Sequence, residues 1–358
     1  MTSMRSNVVI TSLGALTPVG PAVEQSCAAI QAGISRITEH AFYECIPDDP
    51  EWDEYLPLFS SSVPTLDPFL DGFDRLLELT IPALTEVVEN ASLKRSDIPR
   101  AGLFIALPQS DAATYNIGLA SNFIPQLCKR TGLTGFKTSS INQSGHTGIF
   151  EHVIDAITLL ESGELDFCII GGIDSYLLEQ RLDLLDAAWR IRSERNVDGF
   201  IPGEAAVMIM LETEQHAKDR GMVPLSKIKS VASGQEPETI TSQKTSTGSG
   251  LSDAITGVLQ HTNADSFQTV YCSLNGESYY AFEWGIQLTR LSKVFGNMTD
   301  LIHPAENCGD VGAATGALLL ACASQAFKLG YNAGEEMLLW TSANNGLRVA
   351  LTLSHGEK

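Results

Sequence analysis

The sequence predicts an α/β protein with sheets covered on both faces, and three observations carry that prediction. The strongest strand signals are short apolar runs rather than apolar–polar alternations, the mark of strands buried on both sides. Helical stretches separate several of these runs, which selects the α/β class. A weak internal repeat is also present. "GHTGIFEHVIDAITLLESG" (145–163) opens Gly-x-x-Gly, continues as a helix and leads to a strand ending "IIGG". "GDVGAATGALLLACASQAFKLG" (309–330) does the same and leads to "LLWTS". Two copies of one βα unit predict a duplicated fold that divides near residues 215–225.

In chain order, the expected strands are 7–13, 102–107, 167–170, 206–211, 269–274, 337–342 and 347–353. Residues 35–75, rich in Pro, Asp and aromatics, read as an irregular excursion from the core. Residues 232–250, "ASGQEPETITSQKTSTGSG", are polar and read as a surface loop. In the first repeat helix Ile149, Val153, Ile157 and Leu160 recur at helical spacing, with Glu151, Asp155 and Glu161 off that stripe. The second is apolar nearly all round, so it is expected at the centre of the molecule. The two halves are taken as 1–218 and 219–358.

Composition limits the function. With 358 residues and 44% hydrophobic content, a large core is available. A formal charge of −20 excludes nucleic acid as an expected partner, because phosphate binding needs a basic footprint. No apolar run nears the roughly 20 residues of a membrane span, so no membrane partner is expected. The seven cysteines are scattered without ligand spacing, so they read as buried thiols, with no metal and no cofactor expected. The N-terminal apolar stretch reads as a strand rather than a leader, and the expected location is the cytoplasm.

Several segments together resemble the β-ketoacyl synthases (ketosynthases) of the thiolase superfamily. "VVITSLGALTPVGPAVEQSCAAIQAGIS" is similar to their N-terminal strand, Gly-Pro loop and first helix. "SGELDFCIIGGIDS" is similar to the strand and double glycine after their nucleophile helix. "DGFIPGEAAVMIMLETEQHAKDRG" resembles their Asp-Gly-Phe, Gly-Glu, strand and helix segment, and is the most specific match. The resemblance implies a thiolase-like five-layer αβαβα fold of two pseudo-duplicated halves, usually a dimer.

It also implies a site. The family's cysteine position falls on His146, its first basic position on Asn275 in "LNGE", and its second on Asp310 in "GDVG". A condensing enzyme needs a thiolate at a helix N-terminus and two basic groups beside it. All three are replaced, so condensation is not expected. Two readings of the replacements remain open. One is a general base that activates water, with Ser144 as a second candidate nucleophile, giving an acyltransferase or thioesterase on acyl-CoA or acyl-carrier-protein thioesters. The other is a set of polar side chains that satisfy one another in a buried pocket. Glu204, Glu283 and Asn344, the last in the shortened "SANNG" loop, are the expected substrate-side residues. Glu204 also has a structural reading. The partners implied are a second copy, another ketosynthase-like chain, an acyl carrier protein, a CoA thioester or an effector protein. In the non-catalytic reading the chain is a pairing subunit, or an adaptor with a chaperone-like role for a secreted effector.

Overall fold

The computed structural model describes residues 2–45, 56–110, 117–242, 244–262 and 264–356. The chain opens with β1 (Thr2–Arg5), β2 (Val8–Leu16), α1 (Val23–Gln31), β3 (Thr38–Cys45) and β4 (Leu56–Ser60). It continues through α2 (Gly72–Asn90), β5 (Ala101–Ala106), α3 (Ile117–Thr131), β6 (Thr138–Asn142) and α4 (Gly148–Glu161). Next come β7 (Phe167–Ser175), α5 (Glu179–Ala187), β8 (Glu204–Thr213), α6 (Glu214–Asp219), β9 (Ser226–Gln235) and α7 (Ser249–Leu259). Then follow β10 (Thr269–Cys272), α8 (Ser278–Arg290), α9 (Ser292–Phe295), β11 (Asp300–Ile302) and α10 (Ala305–Cys308). The last elements are α11 (Thr315–Leu329), β12 (Glu336–Ser342) and β13 (Leu347–His355).

The duplication is written in the strand order. One set runs β2-β8-β7-β5-β6 and the other β9-β13-β12-β10-β11. Each set places its first strand beside its fifth, then its fourth, second and third. Each also has two parallel pairings at the far end and two antiparallel pairings toward the junction. The sets join at one corner, where Val9 pairs with Lys227 and Ile10 with Ser226.

Three large apolar clusters define the layers. The first lies between the two sets and holds α4 and α11, with Ile149, Val153, Ala317 and Leu320 among its members. The second packs α2 and α3 on the outer face of the β5–β8 set. The third packs α7 and α8 on the outer face of the second set. Along β8, Ala205, Val207, Ile209 and Leu211 face the middle, while Ala206, Met208 and Met210 face outward. Apolar side chains are thus needed at every position, which is why these strands show no alternation. Helix α11 is buried from Thr315 to Phe327. The window Gly312–Leu329 is apolar and long enough to cross a membrane, but 89% of it is buried in the protein, as a central helix between two sheets requires. The expectation that no run comes near that length is corrected by this segment.

Two other expectations change. The excursion at 35–75 contains the antiparallel pair β3–β4, with Thr38 opposite Ser60 and Cys45 opposite Leu56, and α2 starts within it. Residues 46–55 of that stretch lie outside the described residues. The loop expected at 232–250 begins as strand, since β9 reaches Gln235. Its next residue, Glu236, is buried and accepts bonds from Thr247 N, Thr247 Oγ1 and Gly250 N, which tie the loop to α7.

Candidate functional site

Strand β6 ends at Asn142, whose Nδ2 donates to Gly148 O at 2.8 Å and so ties the strand end to the start of α4. Between them Gly145–Thr147 form one 3₁₀ turn, entered through Gly145 at φ +59°, a backbone region that glycine adopts without strain. His146 lies in this turn at the N-terminus of α4 and is buried. The counterpart turn before α11 is Gly312–Ala314. A side chain at Gly312 would lie 2.0 Å from Asp174 Oδ2, so this turn too requires glycine. The two turns are therefore equivalent in structure as Gly145 with Gly312. The Gly-x-x-Gly match seen in the sequence is offset from this by three residues.

Asp310 precedes the second turn and its carboxylate meets the first. His146 Nε2 lies 2.8 Å from Asp310 Oδ1, which also accepts from Gly312 N at 2.8 Å. Asn275 Nδ2 donates to Asp310 Oδ2 at 2.8 Å and to Glu277 Oε2 at 3.0 Å. Arg190 closes the chain on Glu277 through two bonds of 2.7 and 2.6 Å. Five side chains thus run Arg190–Glu277–Asn275–Asp310–His146, with each charge next to its opposite or an amide.

Electrostatics follow from this order. Burial opposes ionisation of Asp310, yet the His146 cation, the Asn275 and Gly312 donors bring its carboxyl down to about 2. Burial also opposes the His146 imidazolium, but the Asp310 carboxylate outweighs it and raises the histidine above its ordinary value. The shift favours a form with no lone pair to take a proton from water. Cys308, two residues from Asp310, is buried, and burial pushes its thiol up to about 12.

Beside the chain lies a cleft of about 250 Å³ lined by His146, Asp174, Tyr176, Arg181, Arg190 and Asn344, among others. Arg181 donates to Asp174, whose second oxygen accepts from Ala313 N at 2.8 Å. The Arg181 guanidinium also lies 3.9 Å from the Tyr176 ring centroid. Every cation at this cleft therefore has a carboxylate beside it.

The expected residues divide into two groups. His146, Asn275 and Asp310 come together, and Asn344 joins the cleft, its Oδ1 accepting from Tyr280 at 2.8 Å. Ser144 does not pair with His146; its hydroxyl donates to Glu151 at 3.1 Å. Glu204 and Glu283 do not line the cleft. Glu204 is buried and accepts from Arg75 at 2.6 and 2.8 Å, Val63 N and Ser175. Glu283 is buried against Arg348 at 2.9 Å, Ser246 and Ser342. Both carboxylates have their lone pairs filled by the protein, so the substrate-side expectation is corrected for both. Arg190, Tyr176 and Arg181 have no local pattern that marks them. The one usable signal for Arg190 is its position shortly before the Asp-Gly-Phe segment. Asp198 of that segment accepts from Ser278 N and Oγ at 2.6 and 2.7 Å, which holds α8 beside the site. Among the described residues no three His, Cys, Asp or Glu side chains are grouped to hold a metal ion.

No family model matches the chain. It is similar to 3-oxoacyl-[acyl-carrier-protein] synthase 2 of Staphylococcus aureus strain N315, 22% identical over 251 residues. That match covers 61% of this chain, and the chain spans 60% of the relative's length. The strain COL protein of the same description is 21% identical over the same shares. Solved structures match over nearly the whole chain. A type II PKS acyl-carrier protein in complex with its ketosynthase bound to the hexaketide superposes with a TM-score of 0.77 at 16% identity, covering 99% of this chain and 100% of that one. The ishigamide ketosynthase/chain length factor gives 0.76 at 15%, again over 99% and 100%. A β-ketoacyl synthase from Burkholderia phymatum STM815 gives 0.72 at 16%, over the same shares. On these superpositions the chain has the thiolase-like fold of the β-ketoacyl synthases.

Proposed function

We propose that this protein is a ketosynthase-fold subunit without condensing activity, which works by pairing with a second ketosynthase-fold chain and the acyl carrier protein that chain serves. The observation that carries the reading is the Arg190–Glu277–Asn275–Asp310–His146 chain. It occupies the place where the resemblance puts a cysteine and two basic groups, and its members satisfy one another. A buried network with every partner present is rigid and costly to open, which suits a scaffold better than a proton-transfer site. Pairing is supported by β6, an outermost strand whose far edge has no partner strand among the described residues. Its sequence, Thr-Ser-Ser-Ile-Asn, holds no charge or proline to block strand addition. The similarity to a ketosynthase/chain length factor structure points the same way. A cytoplasmic location belongs to this proposal.

One observation favours a second reading, transfer or hydrolysis of acyl thioesters. His146 and Asn344 line an open cleft, so a thioester has a route to the imidazole. Thiol release from a panel of acyl-CoA and acyl-carrier-protein thioesters separates the two, with wild type run beside His146→Ala and Asp310→Ala. Release equal to the buffer blank, with a ketosynthase-fold chain recovered in equal amount from the native host, supports the subunit reading. Release by wild type that both substitutions abolish sinks it in favour of an enzyme.

A further inference from the structure

The carboxylates around the His146 cleft are filled, while several donors on its walls are not. Asp310, Glu277 and Asp174 each accept on both oxygens from groups of the chain itself. Of the charged side chains that line the cleft, His146, Arg181 and Arg190 are cationic and Asp174 alone is anionic; Asp310 and Glu277 are not part of the lining. The walls therefore turn positive charge toward the cleft, on a chain whose formal charge is −20.

Tyr176 is the clearest of the unused donors. It is 6% exposed, and its phenol O–H has no acceptor among the described residues. Tyr176 Oη is nevertheless not sealed from solvent, so the accessible part of the residue opens to the cleft that it lines. Burial acts most strongly on this phenol, followed by the charges of Asp310, Arg181, Asp174 and Arg190, among which it therefore lies. Burial pushes its pKa well above the ordinary tyrosine value, and the oxygen keeps its proton. Three further donors share the lining. Asn344 Oδ1 accepts from Tyr280, which makes Nδ2 the end without a partner. Arg190 gives Nε and Nη2 to Glu277 and has no acceptor for Nη1 among the described residues. His146 gives Nε2 to Asp310; against the opposing effect of burial, that carboxylate favours the form with a second proton on Nδ1, which also lacks an acceptor there.

We propose that this cleft binds a small free carboxylate, its oxygens accepting from the unpaired donors, Tyr176 Oη first among them, and its short apolar tail on Leu184, Leu185 and Ala188. The number of donors favours a carboxylate over a neutral carbonyl, because a carboxylate has about four acceptor sites and an amide or ester carbonyl two. An amine or guanidinium finds no open carboxylate here. A purely apolar ligand leaves the buried phenol without an acceptor, which is costly. The ligand is held and not converted. The binding goes beyond the pairing reading and does not depend on it, since all the donors belong to this one chain.

The test is calorimetric titration of the full chain with sodium hexanoate, beside hexanamide, which has the same tail and no charge. Hexanoate is expected to bind, and hexanamide to bind at least tenfold more weakly. Tyr176→Phe deletes an O–H that the folded chain does not use, so folding is not at stake. It should weaken hexanoate about tenfold, the effect of losing one hydrogen bond to a charged group. Asn344→Asp keeps the acceptor that Tyr280 uses, sets a carboxylate where the free donor was, and should abolish binding. Hexanoate has no thioester to cleave, so its binding is read separately from the thiol-release panel, and either result can fail without the other. No heat from hexanoate at millimolar concentration overturns the proposal. So does hexanamide binding as tightly as hexanoate, or equal hexanoate affinity in wild type and Tyr176→Phe.

Discussion

His146 and Asp310 are 164 residues apart and meet at 2.8 Å, one at the turn into α4 and the other just before the turn into α11. Two equivalent turns, one from each copy of the fold, thus bring a cation and an anion together at the centre of the molecule. What the pair does there can be tested without knowing a substrate.

The pair should make stability depend on pH in a specific sense. The folded-state pKa of His146 is raised, so its stabilising contribution is complete below the unfolded value of about 6.5 and is lost as pH rises through the folded value. Asp310 is lowered to about 2, so its contribution is present above the unfolded value of 3.8 and is lost as pH falls toward 2. Urea unfolding across this range should therefore show the wild-type advantage over His146→Gln shrinking on the alkaline side. An advantage that grows with rising pH would contradict the ion pair.

Removing the anion should be costly. Asp310→Ala leaves His146 and Asn275 facing a buried space, and breaking a buried pair costs about 3–5 kcal/mol. Asp310→Asn keeps two of the three contacts and should cost less. Equal denaturation midpoints for wild type and Asp310→Ala would show that the pair contributes nothing.

A thiol placed at position 146 should not act as a ready nucleophile. In His146→Cys the α4 N-terminus favours the thiolate by about 1 kcal/mol. The Asp310 carboxylate at ~5 Å opposes it by about 3 kcal/mol at an effective dielectric of ~20. Repulsion wins, so the thiol pKa should exceed the ordinary value of about 8.5. Alkylation with iodoacetamide, followed by mass spectrometry across pH, reads this directly. Adding Asp310→Asn should speed the reaction at neutral pH; no change in rate would show that Asp310 does not control it.

Glu204→Gln should act on stability alone. It leaves Arg75, itself buried, without its carboxylate, and should destabilise by about 3–5 kcal/mol. The cleft lacks Glu204 among its lining residues, so occupancy of that cleft by a thioester probe should not change. Full stability combined with lost probe binding would return Glu204 to the substrate side.

Much of the fold was legible because burial on two faces leaves a local signature. Short apolar runs mark β5, β7, β8, β12 and β13, and the all-round apolar stretch from 312 marks α11 as central. The β3–β4 pair was not legible, since β3 is largely exposed and carries Glu39 and Glu44, and β4 is a five-residue run with a proline at its second position. Among site residues, the family resemblance places His146, Asn275 and Asp310, through the motifs "SGELD", "LNGE" and "GDVG". No such motif places Arg190. It bonds Glu277 across 87 residues, from a loop after α5 that shows no periodicity.

The sequence by itself determined the class, the duplication and the absence of a cysteine at the turn before α4, because periodicity, glycine spacing and residue identity are local properties. Only the tertiary structure decided which polar groups found partners. Glu204 and Glu283 are filled by arginines distant in the chain, His146 is held by Asp310, and Gln325 Oε1 is left unpaired. Hydrogen bonds and ion pairs act over a few ångströms, and the distances between these residues exist only once the two copies of the fold have packed against each other.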